Sequence, residues 1–153
     1  MTRHRQVKVA APAWAEAEKI NVDIGMASLL QELWSKSFVT IFSCQNWRAD
    51  PAFLSRLDRE NVWDHLKEWR AQIVFRDKLD ENGSCVESAL EQGRRFAAEY
   101  GGDANWAESD FVPERPDVTG YNWLSLQRDK WQFGKHLDLC FVYFPRELLD
   151  VKT

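Results

Sequence analysis

Apolar residues in the first third of the chain recur at two different spacings. Residues 6–10 alternate between apolar and polar and predict a short strand, and residues 13–19 could form one helical turn or a loop. Asp23 is a suitable N-cap, and the apolar positions after it recur at helical spacing, which predicts a helix over 24–36. Residues 39–44 begin with β-branched and aromatic residues and are apolar on both faces, so we expect a central strand there.

The middle of the chain begins with a predicted helix and continues with a strand. Asp50 followed by Pro51 is typical of a helix start, and a second turn is expected near Asn61. Residues 69–76 predict a strand, and Asn82 with Gly83 predicts a turn. The apolar residues expected to share one face of that strand are Ala71, Ile73 and Phe75.

A second well-delimited helix is predicted over 85–100. Ser84 and Glu87 have the spacing of a capping box at its start, and Gly101 is expected to end it. Gly93 lies inside this helix, where glycine is unfavourable by about 1 kcal/mol relative to alanine. A close crossing between helix and sheet would explain why glycine stands there.

The last third of the chain predicts a long loop and then a hairpin. Residues 103–120 contain prolines, a glycine and several acids, which is typical of a loop. Residues 121–128 and 137–144 alternate as two strands, joined by a long tip over 129–135, and a short helix is predicted over 146–151.

This order of elements favours an α+β fold over a doubly wound parallel sheet. Two consecutive strands near the end predict a mixed or mostly antiparallel sheet with helices mainly on one face. At 153 residues, the length predicts a single domain over 1–153, with residues 1–6 flexible.

Composition and charge narrow the function classes. The formal net charge is −4, which argues against a nucleic-acid backbone as the main partner. The three cysteines match neither a disulfide framework nor a zinc spacing, so we expect a cytoplasmic protein without metal or cofactor. No apolar run is long enough for a membrane span, and the basic start lacks the apolar run of a signal peptide. The oligomeric state stays open.

A polar group at a strand end is the first candidate site. Ser43, Cys44, Gln45 and Asn46 stand where the strand over 39–44 ends, a common place for ligand contacts in α/β sheets. Cys44 could be a nucleophile if a base such as His65 or His136 lay beside it. Alternatively, Cys44 is a buried apolar residue and its polar neighbours form turn hydrogen bonds.

The predicted hairpin tip is the second candidate site. It carries Trp131 and Phe133 beside Arg128, Lys130 and Lys135. Tryptophan and arginine are enriched in protein-binding hot spots, and an aromatic and basic surface can also stack nucleic-acid bases. The third possibility is that the tip folds back and packs on the protein.

Histidine and acid neighbours elsewhere give weaker hypotheses. His65 follows Asp64, and His136 is close to Asp138, but neither has the spacing of a metal site. Glu108 and Asp110 could be paired catalytic carboxylates, although a solvated loop explains them equally well.

One stretch resembles a family of small uncharacterised bacterial and phage proteins. The shared pattern is Val-Asp-x-Gly at Val22 to Gly25, an apolar helix, and Thr-x-x-Ser-Cys-Gln at Thr40 to Gln45. Two later stretches are compatible with it, at Trp69 to Gln72 and at Phe144 to Leu149. The resemblance implies a fold and an association with phage or mobile elements, but no activity.

The same helix and Ser-Cys strand are similar to the wybutosine-synthesising methyltransferase family, which acts on tRNA. In that family Gly and Arg follow the Ser-Cys pair, whereas Gln45 and Asn46 follow it here. The residues that would approach a phosphate or cofactor most closely are therefore replaced, and the methyltransferase activity is not carried over.

The sequence therefore favours a small non-catalytic protein that binds a protein partner through an aromatic surface at Arg128, Trp131 and Phe133. The alternatives are a small-molecule or nucleotide-binding enzyme with its site at Ser43 to Gln45, and an RNA-binding module. Whether the protein is an enzyme stays open.

Overall fold

The computed structural model describes residues 5–12, 19–47, 70–101, 106–109, 122–132 and 134–144. The strands in these ranges are β1 (Gln6–Ala10), β2 (Lys19–Asp23), β3 (Thr40–Trp47), β4 (Arg70–Arg76), β5 (Lys78–Leu79), β6 (Cys85–Glu87), β7 (Trp106–Ser109), β8 (Asn122–Gln132) and β9 (Lys135–Phe144). The α-helices are α1 (Ala27–Ser35), which follows a 3-10 turn at Ile24–Met26, and α2 (Ala89–Tyr100).

A five-stranded sheet with the order β3-β4-β9-β8-β7 organises the described part of the chain. Its neighbouring strands are antiparallel, except that β7 runs parallel to β8. The strands β1 with β2, and β5 with β6, form two further antiparallel pairs. The predicted α+β class with a mixed, mostly antiparallel sheet is confirmed, and the division into one domain stays a prediction.

A cluster of phenylalanines joins the sheet to α2. The ring centroid of Phe75 on β4 lies 5.4 Å from that of Phe38 and 5.8 Å from that of Phe96. Phe96 in turn lies 5.3 Å from Phe144 on β9, and all four side chains are fully buried. Since burial of one such side chain stabilises the fold by about 1.5–3 kcal/mol, this cluster is a major attachment of helix to sheet. The predicted buried face of β4, with Ala71, Ile73 and Phe75, is confirmed.

Helix α2 crosses the sheet closely at Gly93. A Cβ atom at Gly93 would lie 2.6 Å from Sγ of Cys140 on β9 and 3.5 Å from Cδ2 of Leu124 on β8. The close crossing expected from this glycine is therefore confirmed. Gly101 ends the helix as expected, and its N–H donates to the carbonyl of Ala97 at 2.9 Å.

The start of α2 corrects the predicted capping box at Ser84 and Glu87. Ser88 is the N-cap: its Oγ accepts the N–H of Glu91 at 3.1 Å, and Glu91 Oε1 accepts the N–H of Ser88 at 3.2 Å. Residues 85–87 form β6 instead. Because Ser88 and Glu91 repeat the same sequence signature one turn later, the pairing of β6 with β5 decides between the two starts.

Gln92 ties α2 to three other segments through a fully buried amide. Its Oε1 accepts the N–H of Val39, just before β3, at 2.7 Å. Its Nε2 donates to the carbonyl of Arg76 at 2.6 Å and more weakly to that of Glu87 at 3.5 Å. Buried polar groups are costly unless they are hydrogen-bonded, so this side chain fixes the position of the helix.

The predicted helix over 24–36 is correct in place and wrong at its start. Asp23 makes no side-chain cap, and its Oδ1 accepts from Gln6 Nε2 at 3.3 Å across the β1–β2 pair. The chain enters α1 through a 3-10 turn after β2. Strand β2 was not predicted, although its residues alternate between polar and apolar in the same way as those of β1.

The strand predicted to be central, β3, lies at the edge of the five-stranded sheet that the described strands form. Its aromatic residue Phe42 keeps 54% of its surface exposed. The strand buried on both faces is β4, in which Gln72 and Val74 are buried as well as the core-facing residues. Apolar residues on both faces therefore did not distinguish an edge strand from a central one.

Strands near the end of the chain are more extensive than predicted. Residues 106–109, assigned to a loop, form β7, and residues assigned to the hairpin tip extend β8 and β9. Other predictions lie wholly or mainly outside the described residues: the helical turn or loop at 13–19, whose last residue begins β2, the helices at 50–66 and 146–151, and the remainder of the loop at 103–120.

Candidate functional site

The end of the β8–β9 hairpin projects beyond the rest of the sheet. Beyond Leu139, β9 pairs with β8 alone among the described strands, down to the last pair between Gln132 and Lys135. Gly134 in the turn has φ 76°, a left-handed conformation that glycine adopts without strain. We call residues 128–132 and 134–138 the distal hairpin. Phe133 lies outside the described residues.

Trp131 is the most exposed large apolar side chain in the described part of the chain, at 63%. It stands directly opposite His136, and the two rings meet edge to face with centroids 4.9 Å apart. Nδ1 of His136 lies 3.1 Å from Oδ1 of Asp129. The indole therefore has a defined neighbour on the hairpin while most of its surface stays available.

A chain of carboxylates anchors the distal hairpin to α2. Asp129 has φ 55°, which aspartate tolerates, and its N–H donates to Oδ1 of Asp138 at 2.9 Å. The N–H of Asp138 donates to Oδ2 of Asp77 at 3.0 Å, and Oδ1 of Asp77 accepts the N–H of Ala89 at 2.8 Å. These bonds connect the bulge in β8 to the first residue of the helix, so the base of the distal hairpin is held in place.

The distal hairpin is locally basic. It carries three basic side chains, Arg128, Lys130 and Lys135, and two acidic ones, a formal charge of +1 against −4 for the whole chain. Arg128 is 68% exposed, and its Nη1 lies 4.0 Å from Oδ2 of Asp138, too far for a strong ion pair. The basic groups are therefore available to an acidic partner surface.

Two of the three residues predicted for the interaction surface, Arg128 and Trp131, are exposed in the distal hairpin. Sequence reasoning missed the contacts of His136, which lies against Asp129 and Trp131 and not against its near neighbour Asp138. The signal that could have revealed them is the short turn at Gly134, because a two-residue loop sets Trp131 opposite His136.

The first candidate site, Ser43 to Asn46, lies in β3, and the strand register separates Ser43 from Cys44. Ser43 stands opposite Ile73 and is half-buried, whereas Cys44 stands opposite Gln72. Successive strand positions belong to opposite faces, so Ser43 and Cys44 do not belong to one face of the sheet. Gln45 and Asn46 continue β3, and the side chains of residues 44–46 are outside the described part of the structure.

His136 is remote from Cys44. Gln72, the partner of Cys44, is also opposite Tyr143 on β9. From Tyr143 to His136 the strand extends about 24 Å at its usual rise of about 3.4 Å per residue. His136 therefore cannot serve as the base that a Cys44 nucleophile would need, and His65 lies outside the described residues.

Other predicted chemistry is accounted for by structural contacts. Glu108, proposed as one of two paired carboxylates, forms a two-pronged ion pair with Arg94, at 2.7 Å to Nε and 2.9 Å to Nη2. The Arg94 hydrogen bond lowers the pKa of the Glu108 carboxyl. Asp110 is outside the described residues, and within these ranges no three metal-binding side chains gather at one point.

An open groove between β1 and α1 was not expected from the sequence. It has a volume of about 540 Å³ and is lined by Pro12, Trp34 and Lys78 among others. Trp34 donates its indole N–H to Oγ1 of Thr40 at 2.9 Å. Among the described residues that line it, Lys78 is the one ionisable side chain, so these residues do not bring together an acid and a base.

Comparison with known proteins does not add to the site. Protein-family models, curated proteins and solved structures were all searched, and no significant match was found. Among the residues described, no helix is long and apolar enough to cross a membrane.

Proposed function

We propose that this protein is a non-catalytic binding module that inserts Trp131 of the distal hairpin into an apolar pocket of a protein partner. The observation that carries the proposal is the 63% exposure of an indole on a hairpin whose base is hydrogen-bonded to α2. Tryptophan is enriched in binding hot spots because it buries a large area and loses little conformational freedom.

The charges around Trp131 indicate the kind of pocket. Arg128, Lys130 and Lys135 make the distal hairpin locally basic, so an acidic surface on the partner would attract the hairpin. The resemblance of residues 21–45 to bacterial and phage proteins adds an association with phage or mobile elements to the proposal. An enzyme site at Ser43 to Gln45 receives less support, because His136 lies about 24 Å along β9 from Tyr143, the residue of β9 that is in register with Cys44.

Affinity capture with matched variants tests the proposal. The wild-type chain, Trp131→Ala and Val86→Ala would each be immobilised and exposed to a lysate of the organism that encodes the chain. Val86 is 58% exposed on β6, so Val86→Ala removes an exposed apolar side chain elsewhere. Truncating a hot-spot residue typically costs at least about 2 kcal/mol, so Trp131→Ala should lower partner capture roughly 30-fold.

Three results are informative. Loss with Trp131→Ala and retention with Val86→Ala supports the proposal. Equal capture by both variants contradicts it. Capture that disappears after ribonuclease treatment and falls steeply with salt would favour RNA binding in place of a protein partner.

A further inference from the structure

The open groove between β1 and α1 combines apolar side chains with the amine of a lysine. Pro12 and Trp34 contribute to its apolar wall, and Lys78 lines the same groove. Its volume of about 540 Å³ falls within the range of about 300–1,000 Å³ that small-molecule sites occupy. We propose that this groove binds a small aromatic carboxylate, with the ring against Trp34 and the carboxylate at the ammonium of Lys78.

Hydrogen bonds hold the walls of the groove in place. The indole N–H of Trp34 donates to Oγ1 of Thr40 at 2.9 Å, which fixes the orientation of the ring. Val39 is tied on both sides, because its N–H donates to Oε1 of Gln92 at 2.7 Å and its carbonyl accepts the N–H of Arg76 at 3.2 Å. A site that is formed before binding loses less conformational entropy when a ligand enters it.

The acids nearest to Lys78 along the chain and across the strand pair are already engaged. Glu87 is its partner in the β5–β6 register, but the two carboxylate oxygens of Glu87 accept from Arg95 at 2.7 and 3.0 Å. The carboxylate of the preceding residue, Asp77, accepts two backbone N–H groups. Lys78 is half-buried and forms no ion pair with another residue that the structure describes. An anion in the groove would therefore meet an ammonium that is free to bind it.

Ser37 adds a second polar group to the lining. Its φ is 71°, a left-handed conformation that is unfavourable for a residue with a Cβ atom and that glycine adopts freely. Since Lys36 is the C-cap of α1, Ser37 occupies the position where helices commonly have glycine. Residues held in this conformation cluster at ligand sites. In the proposed complex the hydroxyl of Ser37 donates to the carboxylate beside Lys78.

The lining suits a carboxylate better than a phosphate. Its described residues offer one ammonium and no arginine, whereas phosphate is commonly bound by arginine forks or by the free N–H groups at the start of a helix. The groove meets α1 at its last turns, where the carbonyls accept the N–H groups of residues 36–38. One ammonium balances the single charge of a carboxylate.

An NMR titration of the whole chain with 2-naphthoate tests the site. The indole N–H resonance of residue 34 would be assigned by its absence in Trp34→Phe, and we expect a saturable shift of this resonance. The neutral analogue 2-naphthalenemethanol should bind at least about tenfold more weakly, because it lacks the charge-assisted hydrogen bond. This preference should disappear in Lys78→Gln. It should remain in Lys135→Gln, which removes an exposed lysine of the distal hairpin.

Ser37→Gly separates a ligand contact from a structural role. Glycine relieves the strained φ, so the melting temperature should rise while 2-naphthoate binds roughly fivefold more weakly. The site would be overturned by a wild-type resonance that does not shift, by equal binding of the two naphthalene compounds, or by tighter binding of 2-naphthyl phosphate. A preference for 2-naphthoate that survives Lys78→Gln, or unchanged binding in Ser37→Gly, would contradict the assigned contacts. The distal hairpin is tested independently by the capture experiment.

Discussion

Replacing Gly93 by alanine tests how tightly α2 is packed on the sheet. The new Cβ would lie 2.6 Å from Sγ of Cys140, whereas non-bonded contacts of this kind are comfortable at roughly 3.5–4 Å. Helix and strand would have to separate by about 1 Å or distort. Overpacking of a core costs about 1–3 kcal/mol, and alanine recovers about 1 kcal/mol of helix propensity. We therefore expect Gly93→Ala to lower the free energy of unfolding by about 1 kcal/mol.

The matched background for this test is Cys140→Ala, which removes the sulfur. Without it, the nearest atoms to the new Cβ are Cδ2 of Leu124 at 3.5 Å and Cβ of residue 140 at 3.6 Å, which are ordinary contacts. In that background Gly93→Ala should stabilise the protein by up to about 1 kcal/mol through helix propensity. The sign of the effect therefore reverses between the two backgrounds.

Urea unfolding of the four proteins measures the coupling. Wild type, the two single variants and the double variant form a double-mutant cycle, and the expected interaction energy is about 2 kcal/mol. Removing the buried thiol group alone should cost about 1 kcal/mol, which the cycle subtracts. If Gly93→Ala stabilises the protein equally with Cys140 and with Ala at position 140, the helix does not cross the sheet as closely as described.

Three further predictions concern hydrogen bonds, ion pairs and thiols. Gln92→Leu leaves the N–H of Val39 and the carbonyl of Arg76 without this partner, so the free energy of unfolding measured in urea should fall by about 2–4 kcal/mol. A fall of less than about 1 kcal/mol would show that water replaces the amide. The Arg94 hydrogen bond lowers the pKa of Glu108 below 4.5, so the stabilisation from this ion pair is present above pH 4.5 and is lost as the pH falls. The melting temperatures of wild type and Glu108→Gln should therefore differ slightly at about pH 7 and converge at low pH. A difference that stays constant with pH would contradict the pairing. The exposed Cys85 should react with an alkylating agent in the folded protein. Burial raises the pKa of the Cys140 thiol to about 12, so Cys140 should react only when the protein unfolds. Labelling of Cys140 in the native state would contradict its position under α2.

Local signals in the sequence predicted where the helices and strands lie better than they predicted which strands are neighbours in the sheet. The alternation of residues 69–76 and the glycine at position 93 led to the buried strand and the close crossing, because both depend on periodicity and side-chain size. The edge position of β3 and the parallel strand β7 depend on pairing between distant segments. A four-residue strand inside a polar, proline-containing stretch has no periodic signal of its own.

The candidate site was predictable in part. An aromatic and basic composition at residues 128–135 marked the hairpin, and exposure of Arg128 and Trp131 agrees with that reading. The anchoring of Asp138 by Asp77 was not predictable, since 61 residues separate the two. Nor could the sequence show that His136 and Cys44 belong to distant parts of the sheet, because that separation follows from the strand register.

Photo-crosslinking in the cell tests the role of the distal hairpin most directly. Benzoylphenylalanine at the exposed Lys135 would place the reactive group beside the turn and leave Trp131 intact, and the same group at Val86 is the control. We expect a discrete protein adduct from position 135 that disappears when Trp131→Ala is added, and no such adduct from position 86. An adduct that persists without the indole, or no adduct from position 135 at all, would contradict the binding role of Trp131.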